Sequence, residues 1–419
     1  MIELMSHQKR AVELFSDKNQ ILAHDMGVGK TITAISIHGN CENKIVIVCP
    51  SKLRDNWAVE LQKMGHTGVQ MVKTGKDTIE GKKWLICSYG LLGKVSEQID
   101  GLYTHIVGDE SHFIKGKSNR AKDFIEVSKK CELVTLLTGT PIMSKPIELW
   151  NQLVAVRAGV TKAMSRTTFS KKYCGGHLKR FGSRFMWWEG GASKLDELAK
   201  MIQGDVDIVK KADVLDLPEK TVTRTIITMS DDERREYKNA WVNYLSWLQE
   251  NPEYSKSDIQ NIKNAKQLVE LGKLQQVTSR IKADYLLESI EELGDQQAII
   301  FCKYIKTIET INAGLKKAGI KFSTLKDNGS VEKFQNKQVQ IFTANIISGG
   351  QGLNLQNANI VFIIDEDWTP AQNIQAEDRV HRKGQDKPCS IYYLQVKDTI
   401  DEHIADINTK KRKIIDKII

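Results

Sequence analysis

The segment His24-Asp25-Met26-Gly27-Val28-Gly29-Lys30-Thr31 stands between an apolar run, Ile21-Leu22-Ala23, and the helical run Ile32-Thr33-Ala34-Ile35. Strand, glycine-bracketed turn ending in Lys-Thr, then helix: that order reads as one unit of an α/β sheet built to hold a nucleoside triphosphate. Glycines let the backbone curl so that successive N–H groups face phosphate oxygens, and the helix N-terminus adds positive potential. Met26, Gly27, Val28 and Gly29 form the cradle, Lys30 reaches the β- and γ-phosphates of a nucleoside triphosphate, and Thr31 ligates Mg²⁺. The first glycine of the G-x-x-x-x-G-K-S/T pattern falls at His24, so the loop alone leaves an accidental glycine turn open.

Further along, Thr104-His105-Ile106-Val107-Gly108 reads as a buried strand running into Asp109-Glu110-Ser111-His112. Adjacent carboxylates at the C-terminal end of a parallel strand lie where such a sheet binds its ligand. Asp109 is placed to hold Mg²⁺ and Glu110 to orient the attacking water, the alternative being a solvated acidic turn. Short β-branched runs (Ile45-Val46-Ile47-Val48, Trp84-Leu85-Ile86-Cys87, Val134-Thr135-Leu136-Leu137) alternate with helical stretches, so residues 1–155 read as one parallel α/β lobe. A second lobe, 281–419, carries Ala298-Ile299-Ile300-Phe301, Val339-Gln340-Ile341-Phe342, Ile360-Val361-Phe362-Ile363-Ile364 and Ser390-Ile391-Tyr392-Tyr393-Leu394. Residues 156–280, richer in charge and tryptophan and helical in pattern from Asp231 to Leu274, read as an insertion and linker layer.

Composition narrows the class. A chain of 419 residues exceeds what one core organises, and 61 Lys+Arg against 52 Asp+Glu, a net charge of +9, favours a polyanionic partner. The seven cysteines (41, 49, 87, 131, 174, 302 and 389) form no C-x-x-C pair, which points to a reducing compartment and away from a zinc cluster. No apolar run reaches the about eighteen residues of a membrane span, and the N-terminus lacks a secretory pattern, so a soluble intracellular protein is expected.

Over nearly its whole length the chain resembles the Snf2 branch of the superfamily 2 helicases and translocases. His7-Gln8 is similar to that family's adenine-reading glutamine motif, and the loop from His24 to Thr31 to its D-E-M-G-L-G-K-T. Val48-Cys49-Pro50-Ser51 with Asn56-Trp57 resembles the next motif, Asp109 to His112 with Phe113-Ile114-Lys115 stands for D-E-A-H, and Leu137-Thr138-Gly139-Thr140-Pro141-Ile142 resembles the motif that relays nucleotide state to nucleic acid. In the second lobe follow Ile300-Phe301, then Gly349-Gly350-Gln351-Gly352-Leu353-Asn354-Leu355, Trp368-Thr369-Pro370, and Gln375-Ala376-Glu377-Asp378-Arg379-Val380-His381-Arg382-Lys383-Gly384-Gln385. The resemblance implies two RecA-like parallel-sheet lobes with a mixed, largely helical insertion, and ATP with Mg²⁺ as cofactors. It also implies that Gln8 reads adenine, that Gly352 joins the ATP site, and that Thr138, Thr140, Asn354 and Gln375 couple hydrolysis to a grip on the DNA backbone. Arg379 and Arg382, three apart on one helix face, would reach the charge that develops on the γ-phosphate.

Departures from the family pattern are His24 and Asp25 before the glycine loop, Ser111 in place of alanine, and a shortened Asp327-Asn328-Gly329-Ser330-Val331-Glu332-Lys333-Phe334 segment, which puts a DNA-backbone contact there in doubt. Tyr173-Cys174-Gly175-Gly176, Gly190-Gly191-Ala192-Ser193 and the run from Val209 to Pro218 resemble the fork-remodelling, annealing-helicase-like subgroup. Within this region residues 177–188 alternate base and aromatic around one glycine. One reading is a β-hairpin whose Lys179, Arg180 and Arg184 meet phosphates while its aromatics stack on bases at a strand junction. In the other, Phe185, Trp187 and Trp188 pack the insertion onto the first lobe. Lys410-Lys411-Arg412-Lys413, between isoleucine pairs, reads as the solvated face of an amphipathic helix.

The expected function is an ATP-dependent DNA motor acting on forks and junctions in replication, recombination or repair. Its rivals are a translocase that pumps duplex without separating strands, an RNA helicase or restriction-type motor subunit, and a non-catalytic DNA clamp. The expected partner is branched or duplex DNA, with no membrane, and the expected state is a monomer or DNA-dependent assembly. No chromatin-reading domain fits beside the lobes, so nucleosome remodelling is not expected. The location implied is cytoplasmic in a prokaryote or phage-infected host cell, and nuclear in a eukaryote.

Overall fold

The computed structural model describes residues 3–39, 42–181, 184–250, 265–349 and 353–419. The chain divides into two units, Met1–His177 with Trp187–Leu215 and Lys413–Ile419, and Leu178–Met186 with Asp216–Arg412.

The first unit is built on β1 (Gln20–His24), β2 (Ile45–Cys49), β3 (Val69–Met71), β4 (Trp84–Ser88), β5 (His105–Asp109) and β6 (Leu133–Thr138). The strands β7 (His177–Phe181) and β8 (Arg184–Trp188) pair as a separate hairpin, and β9 (Val206–Val209) completes the first sheet. The order is β3-β4-β2-β5-β6-β1-β9, parallel throughout. A parallel sheet is covered on both faces, which is why β2 reads Ile-Val-Ile-Val-Cys with every residue buried. Strand alternation sends Ile21, Ala23, Val46 and Val48 into one core and Leu22, Ile45 and Ile47 into the other. Gly108 lets the helix Asn119–Lys130 lie on β5, because a Cβ there would stand 2.7 Å from Phe124 and 2.8 Å from Leu136.

The second unit carries β10 (Lys220–Ile227), β11 (Ala298–Cys302), β12 (Phe322–Thr324), β13 (Ile341–Asn345), β14 (Ile360–Ile363) and β15 (Cys389–Val396), in the order β10-β15-β14-β11-β13-β12 and again parallel. Its two cores lie on opposite faces, Ala298, Ile300 and Cys302 on one and Ile299 and Phe301 on the other.

Three details differ from the sequence expectation. The stretch 156–280 is shared between the units: β9 borders β1 in the first sheet and β10 borders β15 in the second. Charge and tryptophan density hid these strands, because an edge strand buries less than a central one; β10 is mostly exposed. The helical reading there corresponds to Asp231–Glu250 and Ala265–Ser289. In the second lobe β13 starts at Ile341, two residues after the expected Val339, whose carbonyl accepts a hydrogen bond from Gln297 Nε2 at 2.8 Å instead. Among the described residues no helix is long and apolar enough to cross a membrane.

Candidate active site

Strands β5, β6 and β1 are neighbours and parallel, so their C-terminal ends share one edge of the first sheet. Asp109 ends β5, Thr138 ends β6, and the loop from Asp25 to Gly29 leads from β1 into the helix Lys30–Gly39. Gly27 (φ 89°) and Gly29 (φ 86°) adopt the left-handed backbone that turns successive N–H groups inward. A Cβ on Gly29 would fall 2.4 Å from Gln8 Nε2, and one on Gly139 would fall 2.9 Å from Met26 Cγ and 3.5 Å from Lys30 Nζ. Both glycines therefore permit a close approach around the lysine.

Lys30 Nζ donates to the carbonyls of His24 (2.8 Å) and Asp25 (2.9 Å), while Thr31 is partly exposed. Gln8, 3% exposed, accepts from Met5 N at 2.8 Å and donates to the carbonyls of Val28 (3.4 Å) and Gly29 (3.3 Å), and His7 Nε2 lies 3.0 Å from the Val28 carbonyl. Sequence reasoning missed what holds the two departures before the loop. The His24 ring meets Asp207 at 2.7 Å, Arg10 meets the other Asp207 oxygen at 2.7 Å, and the Lys211 N–H donates to Asp25 at 2.9 Å. Burial lowers the His24 pKa against the pull of Asp207. The only available signal was the edge strand β9, itself unread.

Asp109 is 8% exposed, and its carboxyl pKa is pushed up to about 6 by burial and then by Glu110, against hydrogen bonding from Trp57 and the charge of Lys30. Trp57 Nε1 donates to Oδ2 at 2.8 Å, the Glu110 N–H to Oδ1 at 2.9 Å, and the Tyr89 hydroxyl to the Asp109 carbonyl at 2.8 Å. Glu110 sits in the left-handed region (φ 50°), which turns its side chain out of the strand direction, and its Oε2 lies 3.3 Å from His112 Nδ1. Burial and then Lys115 lower the His112 pKa to about 4, so that ring is neutral near pH 7. Ser111 Oγ donates to Gln152 Oε1 at 2.7 Å, and Gln152 Nε2 donates to the Pro141 carbonyl at 2.6 Å. Thr138 Oγ1 accepts the Thr140 N–H at 3.0 Å, and Thr140 Oγ1 contacts Met143 Sδ at 3.4 Å, so both hydroxyls shape the turn after β6.

In the second unit the helix Pro370–Glu377 ends before either arginine. The reading of Arg379 and Arg382 as one helix face is corrected: both lie in the turns that follow, yet they converge, each donating to the Leu353 carbonyl at 3.3 Å and 3.1 Å. Arg379, 3% exposed, also donates to the Gln375 carbonyl at 3.1 Å, and Arg382 is partly exposed. Gln375 is buried (1% exposed), whereas Asn354 is exposed and its carbonyl accepts from Gln335 Nε2 at 2.8 Å. Gly352 lies outside the described residues. Gln385 closes the segment, donating from Nε2 to the carbonyls of Gln356 and Ala358 (3.0 and 2.8 Å) and accepting from the N–H groups of Asp386 and Lys387 (3.1 and 3.0 Å).

The hairpin expected over 177–188 forms, and its aromatics divide between the two readings. Trp187 Nε1 donates to Ser170 Oγ at 3.0 Å, and Trp188 lies on glycines, a Cβ at Gly190 or Gly191 meeting its ring at 3.1 Å. Phe185 is 69% exposed, beside exposed Leu178 and Met186. Lys179 is partly exposed and Arg180 exposed, and the Arg184 side chain lies outside the described residues.

The glycine loop and the paired carboxylates thus lie on the first parallel-sheet unit and the paired arginines on the second, an arrangement of two α/β units. A family model described as the SNF2-related domain matches residues 7–291, and one described as the helicase conserved C-terminal domain matches residues 281–384. The chain belongs to the SNF2-related family. It is 30% identical over 412 residues to "SWI/SNF-related matrix-associated actin-dependent regulator of chromatin subfamily A-like protein 1" of Xenopus tropicalis, covering 94% of this chain and 42% of that protein. To "DNA annealing helicase and endonuclease ZRANB3" of Bos taurus it is 26% identical over 441 residues, covering 98% of this chain and 40% of that protein. The chain thus spans about two fifths of the length of these relatives. The solved "Sulfolobus solfataricus SWI2/SNF2 ATPase core in complex with dsDNA" is 23% identical, with a TM-score of 0.48 over 100% of this chain and 93% of that one.

Proposed function

We propose that this chain is an ATP-dependent DNA translocase that remodels branched DNA, forks or junctions, as a monomer or DNA-dependent assembly. The observation that carries the reading is the shared edge of β5, β6 and β1, where Lys30, Asp109, Glu110 and the Thr138-to-Thr140 turn meet, with Gly139 against Met26 and Lys30. One relative is named as a DNA annealing helicase, which supports DNA as the substrate.

The residues present fit a Mg²⁺-bound triphosphate. Two left-handed glycines turn N–H groups inward, and Lys30 already holds two oxygen acceptors that phosphate oxygens can replace. Asp109 has one hydrogen bond on each oxygen and so retains an acceptor site on each. Thr31 and Asp109 would hold the metal, and Gln8 would read the base. Bound Mg²⁺ supplies charge neutralisation at the phosphates. Glu110 orients the attacking water and accepts its proton, while Lys30 stabilises the leaving side. Arg379 anchors its turn through Leu353 and Gln375, and the more exposed Arg382 would take the γ-phosphate role that the family resemblance implies. Thr138, Thr140, Asn354 and Gln375 shape the turns that would transmit nucleotide state to DNA. Lys179 and Arg180, with Arg184, would meet phosphates while exposed Phe185 stacks on a base.

The test is ATP hydrolysis without nucleic acid and with single-stranded DNA, linear duplex, a model fork and RNA. Strong stimulation by fork or duplex is expected, with Lys30→Ala reducing turnover at least about a hundredfold and Arg382→Ala about a thousandfold. Indifference to DNA, or preference for RNA, overturns the assignment.

A further inference from the structure

Asp109 is gripped by two aromatic side chains to which the mechanism gives no part. We propose that Trp57 and Tyr89 are positioning residues that fix the Asp109 carboxylate for a divalent metal, an inference that rests on the reading of Asp109 as a Mg²⁺ ligand.

Trp57 stands on the helix Arg54–Lys63 and is 2% exposed, packed in the core that contains Ile45, Ile47, Cys49, Ile86 and Val107. Its ring is thereby immobile, and its single N–H is aimed at Asp109 Oδ2, 2.8 Å away. An indole nitrogen only donates, so this contact constrains the carboxylate without competing with it for a cation. The Glu110 N–H fixes the other oxygen at 2.9 Å, and the Tyr89 hydroxyl fixes the backbone carbonyl at 2.8 Å. Side chain and main chain of Asp109 are thus tied from three directions. A free aspartate has three χ1 rotamers; here one is selected before any metal arrives.

Packing alone does not require this N–H bond. Trp84, equally buried in the same core, has a buried Nε1 with no hydrogen-bond partner among the described residues, so the fold tolerates an indole placed for its bulk. Trp57 differs in having its donor directed at the one buried carboxylate of the site. Partners of this kind, outside the ligand set but bonded to a ligand, typically control metal affinity about ten- to a hundredfold.

The experiment measures binding, not turnover: a fluorescent ATP analogue titrated with Mg²⁺, and Mn²⁺ binding followed by electron paramagnetic resonance. Trp57→Phe should raise the metal concentration at half-saturation about tenfold or more while leaving nucleotide binding in EDTA unchanged. Tyr89→Phe should shift it the same way by less. In an Asp109→Asn background Trp57→Phe should add nothing, because its effect passes through that carboxylate. A 3-benzothienylalanine at position 57, which keeps the ring shape and lacks the N–H, should reproduce the Phe result and covers the case of a Phe variant that fails to fold. An unchanged metal midpoint in the folded variants, or the same loss persisting in the Asp109→Asn background, overturns the clamp. If Asp109→Asn itself leaves metal dependence unchanged, the ligand reading fails, and the clamp with it.

Discussion

Ser111 occupies the position where the related motif has alanine, and its hydroxyl spends itself on Gln152 Oε1 at 2.7 Å. Both residues are fully buried, and the other end of Gln152 takes the Pro141 carbonyl, so one glutamine joins the turn after β5 to the turn after β6. Ser111→Ala would leave a buried amide oxygen without its donor, which costs about 1–3 kcal/mol. Urea unfolding is expected to show that loss; a neutral result would mean that Gln152 finds another partner. A second residue-scale consequence concerns His38, whose Nδ1 faces His105 Nδ1 at 3.1 Å and whose Nε2 meets Thr135 Oγ1 at 3.0 Å. Burial, and then His105, lowers its pKa from 6.5 to about 3. Folded His38 stays neutral while the unfolded chain takes up a proton, so its share of stability is complete above pH 6.5 and is lost progressively toward pH 3. Thermal unfolding of His38→Gln should depend less steeply on pH across that interval.

At the scale of elements, the approach of the β6 turn to the phosphate loop depends on a missing side chain. Gly139→Ala places a Cβ 2.9 Å from Met26 Cγ and 3.5 Å from Lys30 Nζ. The turn has to withdraw, and nucleotide affinity should fall about tenfold or more, since displacements near 1 Å at such sites have effects of that order. Equilibrium binding of a fluorescent nucleotide checks this, with circular dichroism as the control for folding. The loop, the carboxylates and most core strands were legible in sequence because each is local: apolar runs, glycines, and acid at a strand end. The bonds made by Gln152, Asp207 and Trp57 were not, since each acts on a residue 41 to 183 positions away; even Trp57, which lies in a recognised motif, carries no local pattern that names Asp109 as its partner. The arginines show the same limit. Spacing placed Arg379 and Arg382 on a helix, whereas the chain leaves the helix at Glu377 and brings both to Leu353 through turns.

At the scale of the whole molecule, each unit carries its own sheet and cores, and the second has a buried charge at its centre. Lys282, 1% exposed, lies 3.0 Å from Asp401 and 3.4 Å from Asp365, and Ser279 and Thr278 each donate to one of the two carboxylates, Asp365 and Asp401 respectively, at 2.8 Å. These groups join the helix Ala265–Ser289 to the end of β14 and to the helix Ile400–Ile415. Lys282→Met strands two carboxylates in a dry interior and should cost about 3–5 kcal/mol. Hydrogen exchange is expected to quicken at β11 and β14 and to be unchanged at β5; equal acceleration at β5 would show that the two units unfold as one. The first unit has a different peculiarity. Residues Lys413–Ile419 belong to it, and Ile418, 3% exposed, fills its core beside Ile414, Ile415 and Ile419. A ribosome making this chain emits the nucleotide loop early and Ile418 only after every strand of the second sheet has emerged. The core of the first unit is therefore closed by residues made after the whole second sheet, so that unit can complete its packing only once the second sheet has been synthesised.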